Sequence, residues 1–110
     1  GIDNYTTARE MGKLLEDIYY GKLINETISK KMLLVLCQQK INDRIPRFLP
    51  KSYVIAHKTG LNRNVCHDAG IVFTDKTDFI ICVLTSDFSF NYKYAKKFIG
   101  NIAYTTSCSF

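Results

Sequence analysis

Three observations in these 110 residues predict an α+β domain. Two amphipathic helical stretches precede residue 42, an alternating apolar pattern fills residues 54–85, and one more helical stripe follows it. Segregated helices beside an antiparallel sheet define that class. The predicted order is helix, helix, loop, strand, strand, strand, helix. Residues 1–42 form the helical part, and residues 43–110 form the loop, a three-stranded antiparallel sheet and a C-terminal helix packed on it. A chain of this length holds one core and one domain.

Thr7-Ala8-Arg9-Glu10 reads as a capping box that starts the first helix. Ala8, Met11, Leu14, Leu15, Ile18 and Tyr19 then line one stripe, with charges opposite, and Gly21 can stop it. Asn25 can cap a second helix carrying Ile28, Met32, Leu33, Leu36 and Cys37, thickened by Leu34 and Val35. Being apolar around more of its girth, this helix is expected to be the more buried. Pro46 and Pro50 make residues 42–50 a loop that carries Arg44 and Arg47 towards the first strand.

Val54-Ile55-Ala56 suits a buried strand, ending at His57-Lys58-Thr59-Gly60. Ala69, Ile71, Phe73 and then Phe79, Ile81, Val83 alternate around the turn Asp75-Lys76-Thr77, which predicts a hairpin. Ser86-Asp87 can start the last helix. Its apolar face is Tyr92, Ala95, Phe98, Ile99 and Ile102, and Lys93, Lys96 and Lys97 form its wet side.

Fifteen basic against ten acidic residues leave a net charge of +5, which favours anionic ligands. The basic residues are scattered, and the helical stripe accounts for Tyr92 beside Lys93, so nucleic acid is not an expected partner. No apolar run approaches membrane-spanning length. The start shows no leader pattern, and its Gly1-Ile2-Asp3 opening suggests a processed or excised piece. Cys37, Cys66, Cys82 and Cys108 show no CxxC spacing, so no metal or redox site is expected. They read as free, buried thiols, with Cys37 and Cys82 serving as small hydrophobes. No cofactor is implied.

The chemistry gathers at Lys58-Thr59-Gly60. An ammonium, a hydroxyl and the backbone N–H of Leu61 together can cradle a carboxylate and an oxyanion, and Gly60 lets a ligand approach the backbone closely. Strand alternation turns His57 to the face opposite Lys58, which makes it structural.

In order and spacing, Tyr5-Thr6-Thr7-Ala8-Arg9-Glu10-Met11, Asp43-Arg44-Ile45-Pro46 with Leu49-Pro50, His57-Lys58-Thr59-Gly60 and His67-Asp68-Ala69-Gly70-Ile71-Val72 resemble class A β-lactamases and the wider penicillin-recognising serine enzymes. The resemblance covers nearly the whole chain. The family uses Ser-x-x-Lys, Ser-Asp-Asn and Lys-Thr-Gly motifs. Only the third is here, since no serine is followed three residues later by lysine and Ser86-Asp87-Phe88 is not the loop motif. The sequence therefore looks like the C-terminal portion of such a protein, which would be secreted or in the cell envelope.

The resemblance implies that Lys58 holds the substrate carboxylate and tunes proton transfer, that Thr59 bonds that carboxylate, and that the Leu61 amide is one of two oxyanion donors. Many class A enzymes carry an arginine where Ala69 stands; others supply it from the preceding loop, where Arg44 matches. Arg47 remains a surface residue. The substrate would be a β-lactam or a peptidoglycan peptide, and the piece alone would be inactive. Alternatives are a penicillin-binding D,D-peptidase-like protein or a non-catalytic cell-wall-peptide-binding domain. In the family the last strand pairs with one from the N-terminal part, so residues 78–85 would present an edge to that part or to a second copy.

Overall fold

A computed structural model describes residues 6–62, 64–86 and 91–110. Its elements are helices α1 (Ala8–Tyr19) and α2 (Glu26–Cys37), a short 3-10 turn (Ile45–Phe48), strands β1 (Val54–Asn62), β2 (Val65–Phe73) and β3 (Asp78–Ser86), and helix α3 (Tyr92–Ser107). The α+β order read from the sequence is the order observed.

Local chemistry sets most boundaries. The Thr7 hydroxyl accepts from the Glu10 amide at 3.1 Å, which occupies one otherwise orphaned donor of α1. The Glu10 carboxylate takes the Thr6 hydroxyl instead of reaching back to the cap, so only half of the capping box forms. Gly21, at φ +73°, turns the chain out of α1 in a conformation that glycine adopts without steric cost. Asn25 accepts from the Ile28 amide at 2.8 Å and caps α2. Between β2 and β3, the Thr74 hydroxyl gathers the Lys76 and Thr77 amides and donates to the Thr77 carbonyl. That closes the hairpin turn.

The sheet order is β1-β2-β3, antiparallel throughout. Lys58 stands opposite Ala69, which stands opposite Cys82. Because side chains alternate, this register sorts the sheet into two faces. One face packs Cys66, Val72, Phe79 and Ile81 against Ala95, Ile99 and Ala103 of α3 and Ile45 of the 3-10 turn. The other packs Ala56, Ala69 and Ile71 against Leu15 of α1, with Leu33 and Leu36 of α2 at its margin. His57 belongs to the α3 face; Lys58, Gly60 and His67 belong to the other.

The structure corrects several expectations. The second helix is the less buried of the first two: its one fully buried residue is Ser29, whereas α1 buries Leu15 and Ile18. Leu34 and Val35 point away from the sheet and are 55% and 62% exposed, because no described layer lies on that side. Breadth of apolar girth marked surface to cover, not surface already covered. The last helix starts later than Ser86, which ends β3 opposite Val65. Asn91 supplies the cap instead, accepting from the Tyr94 amide at 3.1 Å, and Asp87 lies outside the described residues.

On α3 the packed face is turned towards small residues. A Cβ on Gly100 would come within 3.0 Å of the Arg44 carbonyl and the Phe48 ring, so the 3-10 turn sits directly on the glycine. Phe98 is thereby left 45% exposed and stacks on Tyr94 at the surface. Of the thiols, only Cys66 is buried; Cys82 is half-buried, and Cys37 and Cys108 are exposed. The expected end of the first strand at Gly60 also moves, since pairing with β2 continues to Asn62.

Candidate functional site

Lys58, Thr59, Gly60 and Leu61 lie within β1, the outer strand of the sheet. Lys58 projects from the open face with its ammonium in solvent, and its one described hydrogen bond runs to the Thr59 carbonyl at 3.3 Å. Thr59 is half-buried and Leu61 exposed. Because β1 pairs only with β2 among the described residues, alternate N–H and C=O groups along its outer side have no strand partner there. This edge offers a cation, a hydroxyl and free backbone donors within four consecutive residues. A Cβ on Gly60 would meet only the His67 ring, at an ordinary 3.5 Å, so internal packing does not demand glycine there.

Arg44 is placed elsewhere. Its side chain is 2% exposed, with Nε donating to Cys66 Sγ at 3.3 Å and Nη1 to Asp43 Oδ1 at 3.1 Å. Cys66 faces α3, and Asp43 also pairs with Lys96 of α3 at 3.0 Å. The guanidinium is therefore held on the α3 side, and the structure does not bring it to the surface from which Lys58 projects. Arg47 is exposed, with Nη1 donating to the Asp43 carbonyl and the guanidinium over the Phe48 ring.

Behind Lys58 lies a polar cluster that sequence reading found only in part. His57 is 1% exposed and Asp68 fully buried. Nδ1 of His57 is 2.9 and 3.0 Å from the two carboxylate oxygens of Asp68, and Nε2 is 3.0 Å from Oδ1 of Asn42. Asp68 also accepts from the Ile45 amide at 3.0 Å. A buried carboxylate needs such partners. The available signal was Asp68 itself, an acid at an inward position of a strand with apolar neighbours.

On the open face, Nδ1 of His67 is buried without a partner among the described residues. Burial, with the Asp68 carboxylate nearby, pushes the Cys82 thiol above its ordinary range. A cavity of about 280 Å³ lies at the β3 margin, lined by Glu16, Tyr19, Tyr20 and Asp78 among others, and includes none of residues 58–61. There the Tyr19 hydroxyl donates to Asp78 at 2.8 Å, which holds the phenol above its usual range. No group of three or more potential metal ligands occurs among the described residues, and no described helix is long and apolar enough to cross a membrane.

The fold is shared with solved structures of known proteins. TLA-1 extended-spectrum β-lactamase matches 94% of this chain and 41% of its own, at 25% identity and a TM-score of 0.87. The β-lactamase of Sphaerobacter thermophilus DSM 20745 matches 96% of this chain and 40% of its own, at 21% identity and a TM-score of 0.88. PBP-A matches 93% and 42%, at 22% identity and a TM-score of 0.81. The chain thus spans about two fifths of the length of the structures it matches. No curated protein matches it. The β-lactamase enzyme family matches residues 1–107, over the same helices and sheet that superpose on those structures, and the chain belongs to that family.

Proposed function

We propose that this chain is the C-terminal portion of a class A β-lactamase-like serine hydrolase and supplies one wall of its cleft. The observation that carries the reading is the placement of Lys58-Thr59-Gly60-Leu61 on the outer strand of the described sheet, with the ammonium in solvent on the face that the chain leaves open. Lys58 attracts the substrate carboxylate and biases proton transfer at a nucleophile. Thr59 donates to the carboxylate, Gly60 admits the substrate to the backbone, and the Leu61 N–H stabilises the developing oxyanion. An acylated serine in a Ser-x-x-Lys segment completes the reaction, and none of these 110 residues provides one. The chain by itself is therefore inactive.

The strand edge at residues 78–85 is the contact with the remainder of such a protein, or failing that with a second copy. The protein works outside the cytoplasm or in the envelope, where β-lactams and peptidoglycan peptides are met. A second reading has its own support. Ala69 offers no guanidinium on β2 and Arg44 is buried on the far side, so the described surface has only Lys58 for a carboxylate. The structural likeness to PBP-A suits a penicillin-binding peptidase or a peptide-binding wall equally well.

The test uses a chromogenic cephalosporin with this chain alone and with a polypeptide that adds the preceding part of its gene product. The expected result is no turnover for the chain and turnover, or at least a penicillin adduct by mass, for the longer protein. Lys58→Ala in the longer protein should slow acylation by on the order of 100-fold or more. Turnover by the chain alone would overturn the assignment of roles. Adduct formation without turnover would select the peptidase reading.

A further inference from the structure

We infer that the buried His57 and Asp68 and the exposed Asn42 form a clamp in which His57 donates from both ring nitrogens, and that this clamp makes His57 the positioning residue for Lys58. The positioning half rests on the reading of Lys58 given above; the clamp itself does not.

A neutral imidazole has one donor nitrogen and one acceptor nitrogen. Here both nitrogens meet oxygen: Nδ1 the Asp68 carboxylate, Nε2 the Asn42 side-chain carbonyl. The Asn42 orientation has its own anchor, since its Nδ2 points at the Lys40 carbonyl at 3.5 Å. With that orientation a bare nitrogen would set lone pair against lone pair, and a proton on each nitrogen removes the conflict. The charges around the pair agree. Asp43 is engaged by Arg44 and Lys96, the Arg44 Nε is engaged by Cys66, and Lys58 projects from the opposite face. Among the described residues the one cation-capable side chain hydrogen-bonded to Asp68 is His57, and a ring with both nitrogens protonated would supply the countercharge that a fully buried carboxylate requires.

The two strands approach closely at this residue. Gly70 stands across from His57, and a Cβ there would fall 2.6 Å from the His57 Cβ and 2.7 Å from the Ala56 carbonyl. The clamp joins three segments at the residue preceding Lys58: the loop through Asn42 and the Ile45 amide, β1 through His57, and β2 through Asp68. An outer strand held by one neighbour frays more readily than an inner one. Tying its back to the loop fixes the backbone from which Lys58 projects, and misplacement of a catalytic cation by about 1 Å can cost on the order of 100-fold in rate.

The experiment is NMR on this chain with ¹⁵N-labelled histidine at neutral pH, with His67→Gln separating the two rings. The expected His57 signature is two protonated ring nitrogens, reduced to one in Asp68→Asn. A single N–H beside a bare nitrogen in the unmutated chain overturns the clamp, whether or not the variant folds. Amide exchange tests the positioning. Asn42→Ala, at an exposed loop residue, should speed exchange of the protected amides in residues 56–59 by on the order of 10-fold relative to those between β2 and β3. Unchanged exchange overturns the positioning role. Lys58→Ala should leave the ring signature of this chain intact; if the same substitution in the longer protein leaves penicillin acylation unchanged while the signature stands, the Lys58 reading fails and the clamp does not.

Discussion

The two faces of the sheet are built from the same three strands and differ in how far they are finished. The α3 face is the more completely covered: nine described residues bury there in one cluster, from Ile45 in the 3-10 turn to Ala103 in α3, with Tyr53, Ile55, Val83 and Ile102 half-covered. It also contains the buried polar groups His57, Asp68 and Arg44, each with a named partner. The opposite face buries four residues fully and leaves Met11, Leu33, Leu36, Phe73, Ile80 and Cys82 half-covered. Lys58 projects from this unfinished face. The difference places most of the full burial on one side and leaves Lys58 on the other. The closed face can hold a rigid strand, and the open one presents that strand's charged group to whatever packs or binds there.

The comparison is broken most severely from within the closed face. Asp68→Ala strips the buried His57 of its carboxylate and the Ile45 amide of its acceptor. A buried polar group left without its partner costs about 1–3 kcal/mol, and with two such groups stranded urea unfolding of the chain should show a loss near the sum of both. Ile99→Ala, at a residue with no exposure on the same side, should lose about 2–5 kcal/mol. Leu36→Ala, half-buried at the margin of the open face, should lose clearly less than Ile99→Ala in the same measurement. Equal losses would mean that the two faces are equally finished.

Gly70→Ala probes the seam between them. The added methyl has no flexible neighbour to displace, because its closest contacts are the His57 Cβ and a backbone carbonyl. Strand separation or a shifted His57 must follow, at a cost of about 1–3 kcal/mol. The His57 ring signals should shift as stability falls.

Thiol chemistry sharpens the same contrast without mutation. Cys66 lies in the closed face against Arg44, and Cys82 on the open face is half-buried with its thiol pushed up by burial and by Asp68. A raised thiol keeps less thiolate at neutral pH and reacts more slowly. With a disulfide reagent at neutral pH, the exposed Cys108 should react first, Cys82 slowly, and Cys66 only when the chain unfolds. As pH rises Cys82 should react faster, because more of its thiol ionises.

What the sequence made legible was local. The Thr7 and Asn25 caps, the stop at Gly21 and the hairpin turn each depend on residues within a few positions of one another, and alternation placed His57 opposite Lys58 correctly. What it hid was decided at a distance. The direction of Arg44 depends on Cys66, which the fold brings to it from 22 residues away, and on Asp43 being held by Lys96. Ser86 is suited to capping a helix or to pairing in a strand, and Val65 across the sheet decided for the strand. The 3-10 turn packs tightly on Gly100 of α3, while Phe98 stays 45% exposed, a choice of face made by that turn from outside the helix.

The smallest predicted effect concerns α2, where reasoning from girth gave the wrong burial. Leu34 and Val35 contribute apolar surface that the described structure leaves in water. Replacing both by serine should therefore change the stability of this chain by no more than about 0.5 kcal/mol each, the range for surface positions. In a longer polypeptide carrying the preceding sequence, the same pair should cost substantially more if that sequence packs on this side, because burying an apolar side chain is worth about 1.5–3 kcal/mol. Unfolding curves for the pair in both lengths make the comparison directly. A large loss in the short chain would show that this outer side of α2 is already buried, by association between copies.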